Sequence, residues 1–223
     1  AAFIRKTLRS LAKCQPGDVL IEKSVSNTLR VPFVDRVYPQ ARYIHLLRDG
    51  RAVAESAMRQ WRAPPDWSAL WTKLRGIPLA NIGYVAWFAA NFVKGLASGR
   101  GSAVWGPRYP GIEADAAGAS LAEICARQWV ESETAATRDL AALPDANRRV
   151  FTIRYEDLVA DESALRNLLV ALDLPDHEAI LKAYRAKLRP VEKDQWQALP
   201  EADRAAFQRI LSPVLAQKGY DNA

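Results

Sequence analysis

The chain has 223 residues, enough for one good core and short for two full domains. Hydrophobic residues make up 49% and charged residues 25%, a globular mix that argues against disorder. The net charge of +6 favours anionic ligands (nucleotide phosphates, acidic substrates, nucleic acid or a membrane surface) without choosing among them.

Residues 1–13 read as an amphipathic helix with Phe3, Ile4, Leu8 and Leu11 on one face and Arg5, Lys6, Arg9 and Lys13 elsewhere. Gln15-Pro16-Gly17 stops it, and Asp18-Val19-Leu20-Ile21-Glu22 reads as a short buried strand. A helix is expected at about 28–37, ended by Tyr38-Pro39. Tyr43-Ile44-His45-Leu46-Leu47 is the clearest strand, apolar, aromatic and β-branched; Arg48-Asp49-Gly50 breaks it, and a helix runs from Arg51 to Trp61.

Residues 62–118 differ in character. They hold two Pro-rich stretches, Ala63-Pro64-Pro65 and Trp105 to Gly111, and four of the seven tryptophans, Trp67, Trp71, Trp87 and Trp105. The apolar run Leu79 to Ala97 contains Asn81, Asn91 and Lys94. It therefore reads as a helical lid or interfacial helix rather than a span, which needs about 20 apolar residues. The whole region is expected to be a helical insertion on the sheet. Ser120 to Leu143 is a long helix with Ser120 and Glu123 at capping-box spacing. Val150 to Tyr155 is a third strand; Asp161 to Leu172 and about Asp176 to Leu188 are helices. Arg189 to Leu199 is a polar loop, and Glu201 to Ala216 is a final helix ended by Gly219. Strands alternating with helices across short connections imply an α/β fold with a parallel, doubly wound sheet, 1–223 being one domain.

Cys14 and Cys125 form no CxxC or Cys/His cluster, so a disulfide framework and a zinc site are not expected and both thiols should be reduced and buried. Two histidines, His45 and His177, are too few for a histidine-based metal centre. The first residues are basic and amphipathic rather than an apolar leader, and no Asn-x-Ser/Thr occurs; a cytoplasmic protein without membrane association is the expectation. The 31 Lys and Arg are scattered with no base-reading motif, which argues against a nucleic-acid partner.

The sharpest feature is Arg48 at the end of a strand, followed by Asp49-Gly50-Arg51 and then by Ser56, eight positions on within a helix. The C-terminal edge of a parallel strand is where α/β proteins place ligands. The following helix presents N–H groups and a partial positive charge there, and an arginine can grip a phosphate with two N–H bonds. Taken alone, Arg48 would be read as paired with Asp49 or Glu55, and Ser56 as a surface residue.

The wider pattern shifts that reading. The stretch Tyr43 to Ser56 resembles the 3′-phosphate-binding segment of sulfotransferases that use 3′-phosphoadenosine-5′-phosphosulfate (PAPS), in which a strand ends in Arg-Asp-x-Arg and a helix carries a Ser at this spacing. The resemblance implies that Arg48 and Ser56 bind the 3′-phosphate of PAPS. Ile21-Glu22-Lys23-Ser24 resembles the Glu-Lys-Ser/Thr segment of carbohydrate-type and bacterial members. By that likeness Glu22 is the catalytic base and Lys23 holds the nucleotide or sulfuryl group, against a plain Glu22–Lys23 ion pair. Arg154-Tyr155-Glu156-Asp157-Leu158 is similar to the family's Tyr-Glu-Asp-Leu element, which puts Tyr155 near the adenine; Tyr155 as core and Glu156-Asp157 as helix-start charges is the alternative. Lys187, Arg189 and Lys193 precede Trp196 where the family often closes a basic loop over the nucleotide, and the resemblance, a loose one here, makes Lys193 the candidate; an ordinary solvated loop is the favoured alternative.

The resemblance implies a P-loop-NTPase-like parallel sheet flanked by helices, sulfuryl transfer from PAPS to a hydroxyl or amine of a small-molecule or carbohydrate acceptor, and no metal. The family's 5′-phosphosulfate loop, a Pro-Arg/Lys-Ser-Gly-Thr-type turn, is absent; Ser98-Gly99-Arg100-Gly101-Ser102 has the only similar composition, with no strand before it. The expectation is that the first strand and loop lie upstream of residue 1. The alternatives are a catalytically incomplete 3′-phosphoadenosine-binding domain and a related nucleotide kinase, which would need a GxxxxGK[ST] loop that the chain lacks.

Overall fold

The computed structural model describes residues 1–62, 106–175, 177–188 and 195–220. Helix α1 (Ala2–Leu11) leads to a 3-10 turn (Val25–Leu29), α2 (Val31–Val37), strand β1 (Tyr43–Leu47) and α3 (Gly50–Arg62). After the segment 63–105 come α4 (Ile112–Gly118), α5 (Leu121–Ala141), the single turn α6 (Ala146–Arg149), strand β2 (Val150–Arg154), α7 (Tyr155–Ala160), α8 (Glu162–Ala171), α9 (His177–Lys187), a second 3-10 turn (Gln195–Ala198) and α10 (Glu201–Gln217).

β1 and β2 pair in parallel, Tyr43 opposite Val150 through Leu47 opposite Arg154. They form a two-stranded sheet flanked by helices. The organising element is α5. Its start is fixed by the capping box: the Glu123 N–H donates to Ser120 Oγ (3.2 Å) and the Ser120 N–H to Glu123 Oε2 (2.9 Å). From there 21 residues run about 32 Å at the helical rise. One stripe of α5 (Ala122, Cys125, Ala126) packs with Ala54 and Met58 of α3 and with Phe207, Leu211 and Leu215 of α10. Further along, Ala136 and Leu140 meet Val31, Tyr43 and Val150, so α5 covers one face of the sheet. Ile44 and Leu46 point to the other face and are each 49% exposed.

Under the covered face lies a polar cluster. His45 of β1 sits 3.1 Å from Glu133 of α5, which also takes a 2.7 Å ion pair from Lys218 and a 2.9 Å hydrogen bond from Thr137. Burial pushes the Glu133 carboxyl up, but the hydrogen bonds from His45 and Lys218 outweigh it and hold the group below its ordinary value.

Several expectations need correction. Residues 18–24 form no strand. Val19 and Ile21 are 57% and 76% exposed, and among the described residues no segment lies alongside to accept a ladder of hydrogen bonds, without which an extended run is not a strand. The helix expected at 28–37 is split into a 3-10 turn and α2 at the start of Val31-Pro32, where proline suits the first turn of a new helix. A helical turn, α7, intervenes between the third expected strand and α8. Cys125 is buried and its thiol is pushed up to about 12 by desolvation, whereas Cys14 is only half-buried.

Of the insertion, residues 106–118 are described; the apolar run 79–97, the tryptophans 67, 71, 87 and 105, and the turn 98–102 lie outside the described residues. The return run Gly106 to Gly111 is an anchor onto α5. Gln128 donates to the Pro107 carbonyl (3.1 Å), and Tyr109 is buried and hydrogen-bonded to Asp115, which also pairs with Arg127. Gly106 and Gly111 have φ of +87° and +95°, which a side chain would strain.

Candidate functional site

The parallel register brings the two strand ends side by side. Leu47 faces Arg154, so the next residues, Arg48 and Tyr155, are neighbours, and the Arg48 guanidinium lies 4.5 Å from the centroid of the Tyr155 ring. One residue further, the Asp49 N–H donates to Glu156 Oε1 at 3.0 Å. Two segments 107 residues apart in sequence thus meet at the C-terminal edge of the sheet.

Arg48 is half-buried, and its stacking on Tyr155 is its only contact of a charged or aromatic kind among the described residues. The acids that might neutralise it are engaged elsewhere. Asp49 pairs with Arg51 at 2.7 Å, Glu55 pairs with Arg59 at 3.3 Å, and the second oxygen of Glu156 accepts from the Tyr220 hydroxyl at 2.9 Å. Among the described residues Arg48 is therefore a cation without a carboxylate partner, held against an aromatic ring at a strand end.

The start of α3 differs from expectation. Asp49 Oδ1 accepts from the Arg51 N–H at 2.8 Å, as a capping residue does, and Glu156 takes the N–H of Asp49 itself. Those two donors of the helix start are satisfied internally, which leaves the Arg48 side chain as the principal cation there. Gly50 is required for another reason: a Cβ on it would stand 2.7 Å from Cδ2 and Cε3 of Trp129, so the start of α3 lies directly on that indole. Arg51 stacks on Trp196 at 4.8 Å, tying the 195–198 turn to α3.

Ser56 is half-buried on α3, two turns beyond Arg48. Glu22 and Lys23 are exposed and do not pair with each other; Glu22 accepts from the Asn27 amide. No hydrogen bond or ion pair joins either to Arg48, Ser56 or Tyr155 among the described residues. Lys193 lies outside the described residues. Glu156 and Tyr220 were missed as site residues by sequence reasoning. Glu156 was legible only as a helix-start charge, and Tyr220 had no signal beyond its place after Gly219. Among the described residues no group of three His, Cys, Asp or Glu is placed to hold a metal ion. No described helix is long and apolar enough to cross a membrane.

Compared with known families, residues 1–90 match the model of the sulfotransferase family. The match spans 90 of the 223 residues, a likeness of this segment to that family. The matched stretch contains Glu22, Lys23, Arg48 and Ser56, and β1 with its Arg-Asp-Gly-Arg turn; Tyr155 and β2 lie beyond it. No curated protein and no solved structure matches the chain.

Proposed function

We propose that this chain is a sulfotransferase that binds PAPS with the 3′-phosphate at Arg48 and Ser56, and serves transfer of its sulfuryl group to a hydroxyl or amine acceptor, a small molecule or a carbohydrate. The observation that carries the reading is Arg48, a guanidinium at a parallel strand end, stacked on an aromatic ring and with no carboxylate partner among the described residues. A cation left uncompensated in that position is suited to a phosphate, which it can hold with two N–H bonds. Tyr155, already stacked on Arg48, offers an aromatic surface beside the phosphate for the adenine. Lys193 is the candidate for a further nucleotide contact. In this reading the sheet is of the P-loop-NTPase-like, doubly wound kind.

In the reaction, the acceptor oxygen attacks sulfur, the bond between sulfur and the 5′-phosphate oxygen breaks, and adenosine 3′,5′-bisphosphate leaves with the electron pair. The acceptor proton passes to Glu22, whose carboxylate is not tied up by Lys23. Lys23 is thereby free to oppose charge on the departing phosphate. Calorimetry tests the reading. Arg48→Ala should weaken adenosine 3′,5′-bisphosphate by about 1.5–3 kcal/mol, the range of a hydrogen bond to a charged group. Adenosine 5′-monophosphate should bind the variant as it binds the parent. Equal losses for both nucleotides would refute the assignment.

A further inference from the structure

The turn that ends α10 touches the ends of both strands. Gly219 takes φ +67°, and the Tyr220 N–H returns to the Leu215 carbonyl at 2.9 Å, the bond of a Schellman turn. This reversal folds residues 218–220 back onto the sheet edge. Arg154, the last residue of β2, donates to the Lys218 carbonyl (2.6 Å) and the Gly219 carbonyl (3.3 Å), and its guanidinium lies 4.6 Å from the centre of the Tyr220 ring. Lys218 reaches beneath β1 to Glu133, the partner of His45. The Tyr220 hydroxyl donates to Glu156, whose other oxygen holds the Asp49 N–H.

We propose that Tyr220 is a positioning residue for the anion site: through Glu156 it fixes the backbone at Asp49, and so sets where the adjoining Arg48 guanidinium stands. The inference rests on the reading of Arg48 as the 3′-phosphate ligand. The chain from Tyr220 to Arg48 is short and directional. The hydroxyl orients the carboxylate, the carboxylate orients one peptide, and that peptide carries the carbonyl of Arg48. With the hydroxyl removed, Glu156 keeps one hydrogen bond, to the Asp49 N–H, and gains freedom to swing toward Arg48, the residue before Asp49. A carboxylate on Arg48 competes with phosphate, so Tyr220 also protects the site from its own neighbour.

The test uses the full chain and two probes, adenosine 3′,5′-bisphosphate and adenosine 5′-monophosphate, measured by calorimetry. The ratio of their affinities isolates the 3′-phosphate. Tyr220→Phe should lower that ratio about three- to tenfold, the worth of one hydrogen bond, with the monophosphate unchanged. In an Arg48→Ala background, Tyr220→Phe should lower it no further, because the two act on one contact. Glu156→Gln, whose amide carbonyl still accepts from Asp49 and which carries no charge to compete for Arg48, should keep most of the parent's ratio. A Tyr220→Phe ratio equal to that of the parent, or an equal weakening of both nucleotides, would overturn the positioning role while leaving Arg48 in place. A parent chain with no preference for the bisphosphate would overturn the 3′-phosphate reading and this inference with it.

Discussion

Gly50→Ala puts the packing of the Arg48–Arg51 turn to a direct test. Three atoms of the Trp129 indole lie 2.7, 2.7 and 2.9 Å from where the new Cβ would stand, all inside the closest approach that side chains make. The indole cannot simply swing away, since it packs against the core formed by α3, α5 and α10. Overpacking of this kind costs about 1–3 kcal/mol. Alanine recovers part of that through helix propensity, at most about 1 kcal/mol in a helix interior and less at Gly50, the first residue of α3. The net expectation is a loss of about 1–2 kcal/mol, or a Tm lower by about 2–8 °C for a chain of this size. Thermal unfolding followed by circular dichroism at neutral pH measures it. Trp129→Leu makes room, so in that background Gly50→Ala should cost less than half as much. A Gly50→Ala chain as stable as the parent would show that α3 does not start against Trp129, and the placement of the whole Arg48–Arg51 turn would fall with it.

Two other outcomes are expected. Glu133 has a carboxyl held below its ordinary 4.5, so its ionised form stabilises the fold fully above pH 4.5 and that contribution disappears as pH falls through the lowered value; Tm of the parent should therefore drop more steeply below pH 4.5 than Tm of Glu133→Gln, and parallel curves would refute it. Glu22→Gln should cut kcat by about 10²–10⁴-fold with nucleotide affinity nearly unchanged; turnover within a few-fold of the parent, measured in a chain competent for transfer, would place the base elsewhere.

What was legible in the sequence follows from how local each determinant is. β1 and the capping box of α5 are local patterns, and both stand where the residues placed them, β1 at Tyr43–Leu47 and the cap on Ser120 with Glu123. Asp18 to Glu22 has the same apolar look as β1 and is no strand, because a strand is completed by its neighbour and not by its composition. The site divides in the same way. That Arg48 ends a strand and precedes a helix was readable because both are local patterns along one stretch of chain. The ties Asp49–Arg51 and Glu55–Arg59 were invisible as choices, since each acid had more than one arginine within reach in sequence. Tyr220 could not be found at all, because its contact with Glu156 spans 64 residues.

The pattern of arginine partners argues for where an anion would go. Among the described residues, the arginines at the sheet ends with an aromatic ring against them are Arg48, Arg51, Arg149 and Arg154. Arg149 pairs with Asp35 and stacks on Tyr43, Arg51 pairs with Asp49 and stacks on Trp196, and Arg154 stacks on Tyr220 and is held by two carbonyls. Each of these three has both an aromatic face and an oxygen ligand within the fold. Arg48 has the aromatic face, Tyr155, and among the described residues lacks the oxygen. A half-buried guanidinium without an acceptor carries a desolvation cost that the other three avoid, and an incoming phosphate offsets it with charge-assisted bonds. The fold spends its nearby carboxylates on the arginines that position the turn, and leaves unneutralised the one that the sequence pattern assigns to the ligand.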